Sequence, residues 1–255
     1  MFIPGLVSVT FRRLAPADIV ALVNKAGLKA IEWGGDVHVP YGNILRAREV
    51  RKLTQDAGLS VAAYGSYYRL GSSEQEGLSF QSVLETAVAL ETPVIRVWAG
   101  TKSSAGADDG DWRMIIDQSR LIAELARSAG VTVAYEYHDG TLTDTWLSTQ
   151  RLLQEVNHPN VRTLWQPSVA NIVDEEVEAL RQLLGHVANI HVFHWRAGTQ
   201  ARLPLADGGM NWRRYFDVLS SSGRDHHTLI EFVRGDEPAA FMEDAQALRQ
   251  WLETA

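Results

Sequence analysis

One phrase occurs three times along this chain: Ala26-Gly27-Leu28 ahead of KAIEW, Ala57-Gly58-Leu59 ahead of SVAAY, and Ala129-Gly130-Val131 ahead of TVAYE. Each time an amphipathic stretch stops at a glycine able to take the left-handed conformation that closes a helix, and an apolar strand follows at once. The phrase marks a repeating helix-strand unit. Apolar runs at residues 6–11, 30–33, 60–64, 94–98, 132–137, 162–166, 189–193 and 228–232 are the expected strands. Helical patterns fill the intervals at 15–26, 44–57, 76–90, 112–129, 145–156, 174–184, 212–221 and 238–252. Strands without polar alternation are those buried on both faces. Eight such units in 255 residues, roughly 32 residues each, favour a single closed (β/α)8 TIM barrel over the whole chain, 1–255. An open doubly wound sheet is the alternative, but no strand is followed by its phosphate-binding glycine fingerprint. The polar stretch TKSSAGADDGD at 101–111 reads as a long loop at the barrel mouth.

Composition narrows the chemistry. The chain has no Cys, which excludes disulfides, thiolate zinc sites, iron–sulfur clusters and cysteine nucleophiles. A formal charge of −7 without a local basic cluster argues against nucleic acid as a partner. Pro4 and Gly5 stand where a signal peptide needs a basic stretch, and no apolar run approaches membrane-spanning length, so a cytoplasmic protein without a membrane partner is expected. Walker, nucleophile-elbow and dinucleotide motifs are absent.

In a barrel of this kind chemistry gathers at the C-terminal strand ends. The polar groups falling there are Glu32, Asp36 and His38 after strand two, Tyr64, Ser66 and Tyr67 after three, and Arg96 after four. Glu136 and His138 end strand five, Gln166 strand six, His191, His194 and Arg196 strand seven, and Glu231 strand eight. Glu136, Gln166, His191 and Glu231 stand out, because oxygen and imidazole groups converging from four adjacent strands suit Mn2+, Mg2+, Co2+ or Zn2+. A Glu inside an apolar strand needs a partner, and a structural ion pair with Arg96 or Arg196 is the competing reading. Trp33, Trp98, Trp165 and Trp195 also fall at strand ends, where they would wall a pocket that stacks on sugar rings, or else belong to the core. His158, His186, His226 and His227 fall at the opposite end and are expected to be inert.

These residues carry a resemblance. The Glu136-Tyr137-His138 phrase, His191, the segment Pro204-Leu205-Ala206-Asp207-Gly208-Gly209-Met210-Asn211-Trp212 and the closing Glu231 resemble the xylose isomerase-like (β/α)8 superfamily. The likeness is to its branch of sugar isomerases, ketose 3-epimerases and related dehydratases. The resemblance implies one divalent ion, Mn2+ first, held by Glu136, Gln166, His191 and Glu231, with Gln166 where the family carries an acid and Val169 where a histidine often follows. It further implies that Glu136 and Glu231 act as acid and base on a small carbohydrate, abstracting a proton α to a carbonyl, with His38, Trp98, His138, Trp165 and Arg196 as substrate contacts. An isomerase or epimerase is the first expectation and a carbon–oxygen lyase the second; a sugar-binding barrel without catalysis is the third, for which the loss of the acid at Gln166 speaks. A homodimer or homotetramer is expected by analogy with other barrels.

Overall fold

The three repeated phrases end helices as their glycines require. Gly27, Gly58 and Gly130 have φ of 73°, 73° and 72°. Beyond each glycine the next N–H reaches back five residues, Leu28 to Val23, Leu59 to Thr54 and Val131 to Ala126, satisfying carbonyls the helix leaves open. The chain is thereby turned directly into the next strand. The computed structural model describes residues 1–170 and 172–253. Its strands are β1 (Phe2–Val7), β2 (Ala30–Gly34), β3 (Ser60–Arg69), β4 (Val94–Trp98), β5 (Thr132–Glu136), β6 (Val161–Trp165), β7 (Val187–Val192) and β8 (His226–Ile230). They pair in parallel in chain order, and β8 closes on β1. Around them lie α1 (Pro16–Lys25), α2 (Ile44–Asp56), α3 (Phe80–Leu90), α4 (Asp109–Ser128), α5 (Trp146–Val156), α6 (Val173–Leu183), α7 (Gly209–Ser220) and α8 (Pro238–Leu252). The fold is a single (β/α)8 TIM barrel.

Element boundaries differ from expectation where local chemistry intervenes. β1 begins earlier than residue 6 because residues 2–6 pair with residues 226–230 of β8, while Ser8–Phe11 coils into a 3-10 turn. α3 starts at Phe80 instead of 76 because Ser79 caps it, its hydroxyl accepting from Ser82 N–H, and the Glu74 carboxylate accepts from Phe80 N–H at 2.8 Å. The 101–111 loop ends at Asp108, which opens α4 with a reciprocal capping box to Asp111. β3 runs on to Arg69, and its register against β4 slips between Gly65 and Tyr68, with Tyr67 in the left-handed region at φ 57°. Such a bulge re-aims side chains next to a site.

Most of the apolar core lies between the barrel and its helices, where Trp33, Trp165, Trp212, Tyr215, Phe216 and Phe241 are fully buried. A smaller cluster of Val7, Ala30, Ala62 and Leu229 fills the barrel beneath its C-terminal mouth. No helix among the described residues is long and apolar enough to cross a membrane.

Candidate active site

Successive side chains of a strand point to opposite faces, so one position decides between barrel axis and helix layer. Glu32, Arg96, Glu136 and His191 take the axial face near the ends of β2, β4, β5 and β7, and Gln166 and Glu231 immediately follow β6 and β8. Of these, Glu32, Arg96, Glu136, His191 and Glu231 are buried.

His191 is the hub. Its Nε2 lies 3.1 Å from Glu32 Oε2. Around Nδ1 stand Gln166 Oε1 at 3.2 Å, Glu231 Oε2 at 3.3 Å and Glu136 Oε1 at 3.8 Å. A ring nitrogen carries at most one proton, so three oxygens facing it are more acceptors than it can satisfy. Such a surplus of oxygens calls for a cation. Ligand atoms of Glu136, His191 and Glu231 all lie within 4.8 Å of one another, a spacing one ion can bridge. The Gln166 amide is held in register by donating from Nε2 to the Tyr137 carbonyl at 2.9 Å, which leaves its oxygen toward His191. The donor set, two carboxylates, one imidazole and an amide oxygen, fits a divalent ion of the Mn2+ or Zn2+ kind.

Without an ion the cluster relieves itself by holding a proton. Burial is the largest single influence on His191 and opposes its charge, but Glu231 and Glu32 outweigh it and push its pKa up to about 10. Burial likewise works to raise Glu231, yet His191 and Arg96 hold its carboxyl below the ordinary range.

Arg96 ties the two halves of the site together. Its Nε lies 3.2 Å from Glu32 Oε1, and its Nη1 donates to Glu136 Oε2, which also accepts from Trp98 Nε1. Burial disfavours the charge, but Glu136 and Glu32 keep the guanidinium firmly protonated. The structural ion pair weighed for Glu136 therefore exists beside the ligand role: Oε2 is anchored to Arg96 while Oε1 faces the cluster. Gly65 of β3 makes room for this arrangement, since a Cβ there would stand 2.8 Å from Arg96 Nη2 and 3.0 Å from Glu32 Oε1.

Above these buried groups the rim is aromatic and basic. Trp98 meets the Tyr67 ring edge-on at 5.2 Å and the His138 ring at 5.6 Å, and the Arg69 guanidinium lies 3.7 Å from its ring centre. Trp98 and His138 are thus brought together at the mouth. Trp165 and His38 are corrected as substrate contacts, and Arg196 lies apart from the cluster. Trp165 is fully buried on the helix side, with Tyr215 and Trp212 rings at 5.1 and 6.4 Å, because it sits one residue before the inward Gln166. His38 is 2% exposed, its Nδ1 3.0 Å from Ser8 Oγ and its ring against Trp33, so it has no face to offer a substrate. Arg196 is exposed on a hairpin, where Trp195 bridges to Arg202, and makes no contact with the cluster among the described residues. Trp33 also faces outward, donating to Thr54 of α2 at 3.1 Å.

Glu32 is recognisable as a strand-end polar group without a role of its own, and Arg96 only as the ion-pair partner weighed for the glutamates. The rule applied to Glu136, that a lone charge in an apolar strand must have a partner, covers both in AIEWG and VIRVW. Tyr67 stands among the polar groups at the strand-three end, but Arg69 depends on the β3 bulge and carries no such signal.

Known proteins share this architecture. The 3-dehydroshikimate dehydratase of Bacillus anthracis is 27% identical over 256 residues, covering 89% of this chain and 90% of that one. L-ribulose-5-phosphate 3-epimerase UlaE of Escherichia coli is 29% identical over 145 residues, 55% of this chain and 49% of its own length. Among solved structures, the probable 3-DHS dehydratase AsbF of Bacillus anthracis superposes with a TM-score of 0.79 at 22% identity, over 98% of this chain and 99% of that one. D-psicose 3-epimerase of Clostridium cellulolyticum H10 gives 0.76 at 16% identity over 98% of each chain. Residues 20–251 match the xylose isomerase-like TIM barrel family, and the chain belongs to that family.

Proposed function

We propose that this protein is a divalent-metal-dependent enzyme that removes a proton α to the carbonyl of a small polyhydroxylated substrate, as a carbohydrate isomerase or epimerase. The observation that carries this reading is the convergence of Glu136, Gln166 and Glu231 oxygens on His191 Nδ1, buried at the strand ends. Glu136, Gln166, His191 and Glu231 would hold the ion, Mn2+ first and Mg2+, Co2+ or Zn2+ as alternatives. When bound, such an ion supplies the Lewis acidity that polarises a carbonyl and makes the adjacent C–H acidic.

The two glutamates are not equivalent. Glu136 is fixed by Arg96 and Trp98, so its negative charge is already shared with two donors. Glu231 is paired with His191 alone at ion-pair distance among the described residues, and its carboxyl is held in the deprotonated form. Glu231 is therefore assigned as the proton acceptor and Glu136 as the group that faces the substrate from the other side. Proton return from the opposite face gives epimerisation, and return at the neighbouring carbon gives isomerisation.

A second reading, dehydration, is supported by the end-to-end similarity to 3-dehydroshikimate dehydratase. It shares the same proton abstraction and ends with loss of a β-hydroxyl, a sequence needing one strong base and one acid.

One experiment separates these readings. Protein dialysed against Mn2+ is analysed for bound metal and then incubated in D2O with ketoses and with 3-dehydroshikimate, with products followed by NMR. Deuterium at the α-carbon with inversion or carbonyl migration supports the first reading, and loss of water the second. A protein that holds metal and binds ligand but washes in no deuterium is a binding barrel.

A further inference from the structure

Among the described residues, Arg69 is a cation of the aromatic rim that no carboxylate pairs. Arg96 is bound to Glu32 and Glu136, and Arg12 to Asp36 and the Tyr67 hydroxyl. Arg69, half-buried at the end of β3, lies with its guanidinium 3.7 Å from the centre of the Trp98 ring, and no carboxylate comes within ion-pair distance of it among the described residues. The indole that supports it is the same one whose Nε1 donates to Glu136. One ring thus separates this cation from the buried cluster; burial works against its charge, and Glu136 and Glu76 favour it. The backbone spends strain to build this rim: Tyr67 sits at φ 57° in the bulge, edge-on to Trp98.

We infer that Arg69, its guanidinium centred 3.7 Å from the middle of the Trp98 ring, is a subsite for a carboxylate, so that the substrate is a hydroxy- or keto-acid and not a neutral sugar. This deepens the function proposed above and rests on it. A guanidinium stacked on an aromatic face keeps its N–H edge free and in a fixed plane, and that edge matches a carboxylate in bidentate fashion. Charge balance selects a monoanion. Glu32, Glu136 and Glu231 would be offset by Arg96 and a divalent ion, which leaves Arg69 a rim cation with no ion-pair partner among the described residues. The same fork can take a phosphate, but a phosphate dianion would leave the rim with a surplus negative charge that a carboxylate does not.

The test uses the full-length protein loaded with Mn2+ and three probes that differ only at C6: D-fructose, D-fructose 6-phosphate and D-fructuronate, with 3-dehydroshikimate as a ring carboxylate. Binding is read by calorimetry and α-proton exchange by NMR. The carboxylates are expected to bind at least tenfold more tightly than D-fructose. Arg69→Gln should erase that preference with metal content and Tm unchanged, and Arg69→Lys should restore part of it. Preference for the neutral or phosphorylated probe, binding of no probe, or an undiminished preference in Arg69→Gln overturns the subsite. Exchange on D-fructose equal to that on the acids leaves the proposed function standing while the subsite fails. A protein that takes up no metal removes the proposed function itself.

Discussion

Two faces of the same strand ends have opposite characters. Toward the axis, Glu32, Glu136 and Gln166 join one polar network around His191 and Arg96. One residue away, Trp33, Tyr135 and Trp165 point into the helices, where Trp33 and Tyr135 donate to Thr54 and Ser119 and Trp165 packs on Tyr215. Neighbours in sequence therefore serve chemistry and stability separately. The inward residues are costly to bury and tolerable only as a mutually paired set, whereas the outward ones contribute apolar area to the layer that holds the barrel together.

Substitution on each face should break a different property. Glu231→Gln is expected to show the largest effect, a loss of turnover of roughly 10²- to 10⁴-fold, because the amide keeps the shape but cannot take a proton. Thermal unfolding and α-proton exchange measured on one sample check this, and near wild-type exchange would remove Glu231 as the base. Glu136→Gln differs, since it strips a buried partner from Arg96 and should lower Tm as well. Outward, Trp165→Ala should cost about 3–5 kcal/mol of stability by denaturant titration, with metal affinity of the folded fraction preserved. Trp98→Ala at the rim should cost less, about 1.5–3 kcal/mol for the bond donated to a carboxylate, and should weaken substrate binding.

Acidity sharpens the comparison further. His191 in the ion-free protein has its pKa raised to about 10 from an ordinary 6.5. Its contribution to stability is therefore complete below pH 6.5 and declines as pH rises through 10. The metal-free protein should lose Tm across that window, and metal affinity should rise over the same interval because the ion displaces the proton. A Tm series with and without Mn2+ checks both, and a metal-free Tm flat from pH 6.5 to 10 contradicts the assignment. Gln166→Asp is the smallest change. It adds a charge beside the ion and should tighten metal binding by about 1 kcal/mol or more, measured by competitive chelation. Equal affinities would make Gln166 a substrate contact and not a ligand.

How much of this could be read beforehand follows the same division. The helix stops at Gly27, Gly58 and Gly130 and the unbroken apolar strands depend on local chemistry, so the barrel was legible. Glu136, His191 and Glu231 were legible because a charge in a buried strand is conspicuous. Trp165 was misplaced because its position at a strand end was considered without the parity that sets it opposite Gln166. His38 was misplaced because a loop has no parity at all, and its ring is fixed by Ser8, thirty residues distant in sequence. Tyr67 is visible at the end of strand three, whereas Arg69 reaches the mouth through a slip in register, a tertiary event with no local marker.

The space left by Gly65 has a consequence for inheritance. A side chain at that position would have to occupy the volume now filled by Arg96 and Glu32. Three positions on three strands, β2, β3 and β4, are thereby bound into one unit of descent. A lineage that replaces the glycine must also displace the Arg96 guanidinium, and with it the anchor on Glu136. Across relatives these positions are expected to change together or not at all, and an alignment in which a bulkier residue at 65 coexists with the intact Glu32 and Arg96 pair would mark a barrel whose β3 follows a different path.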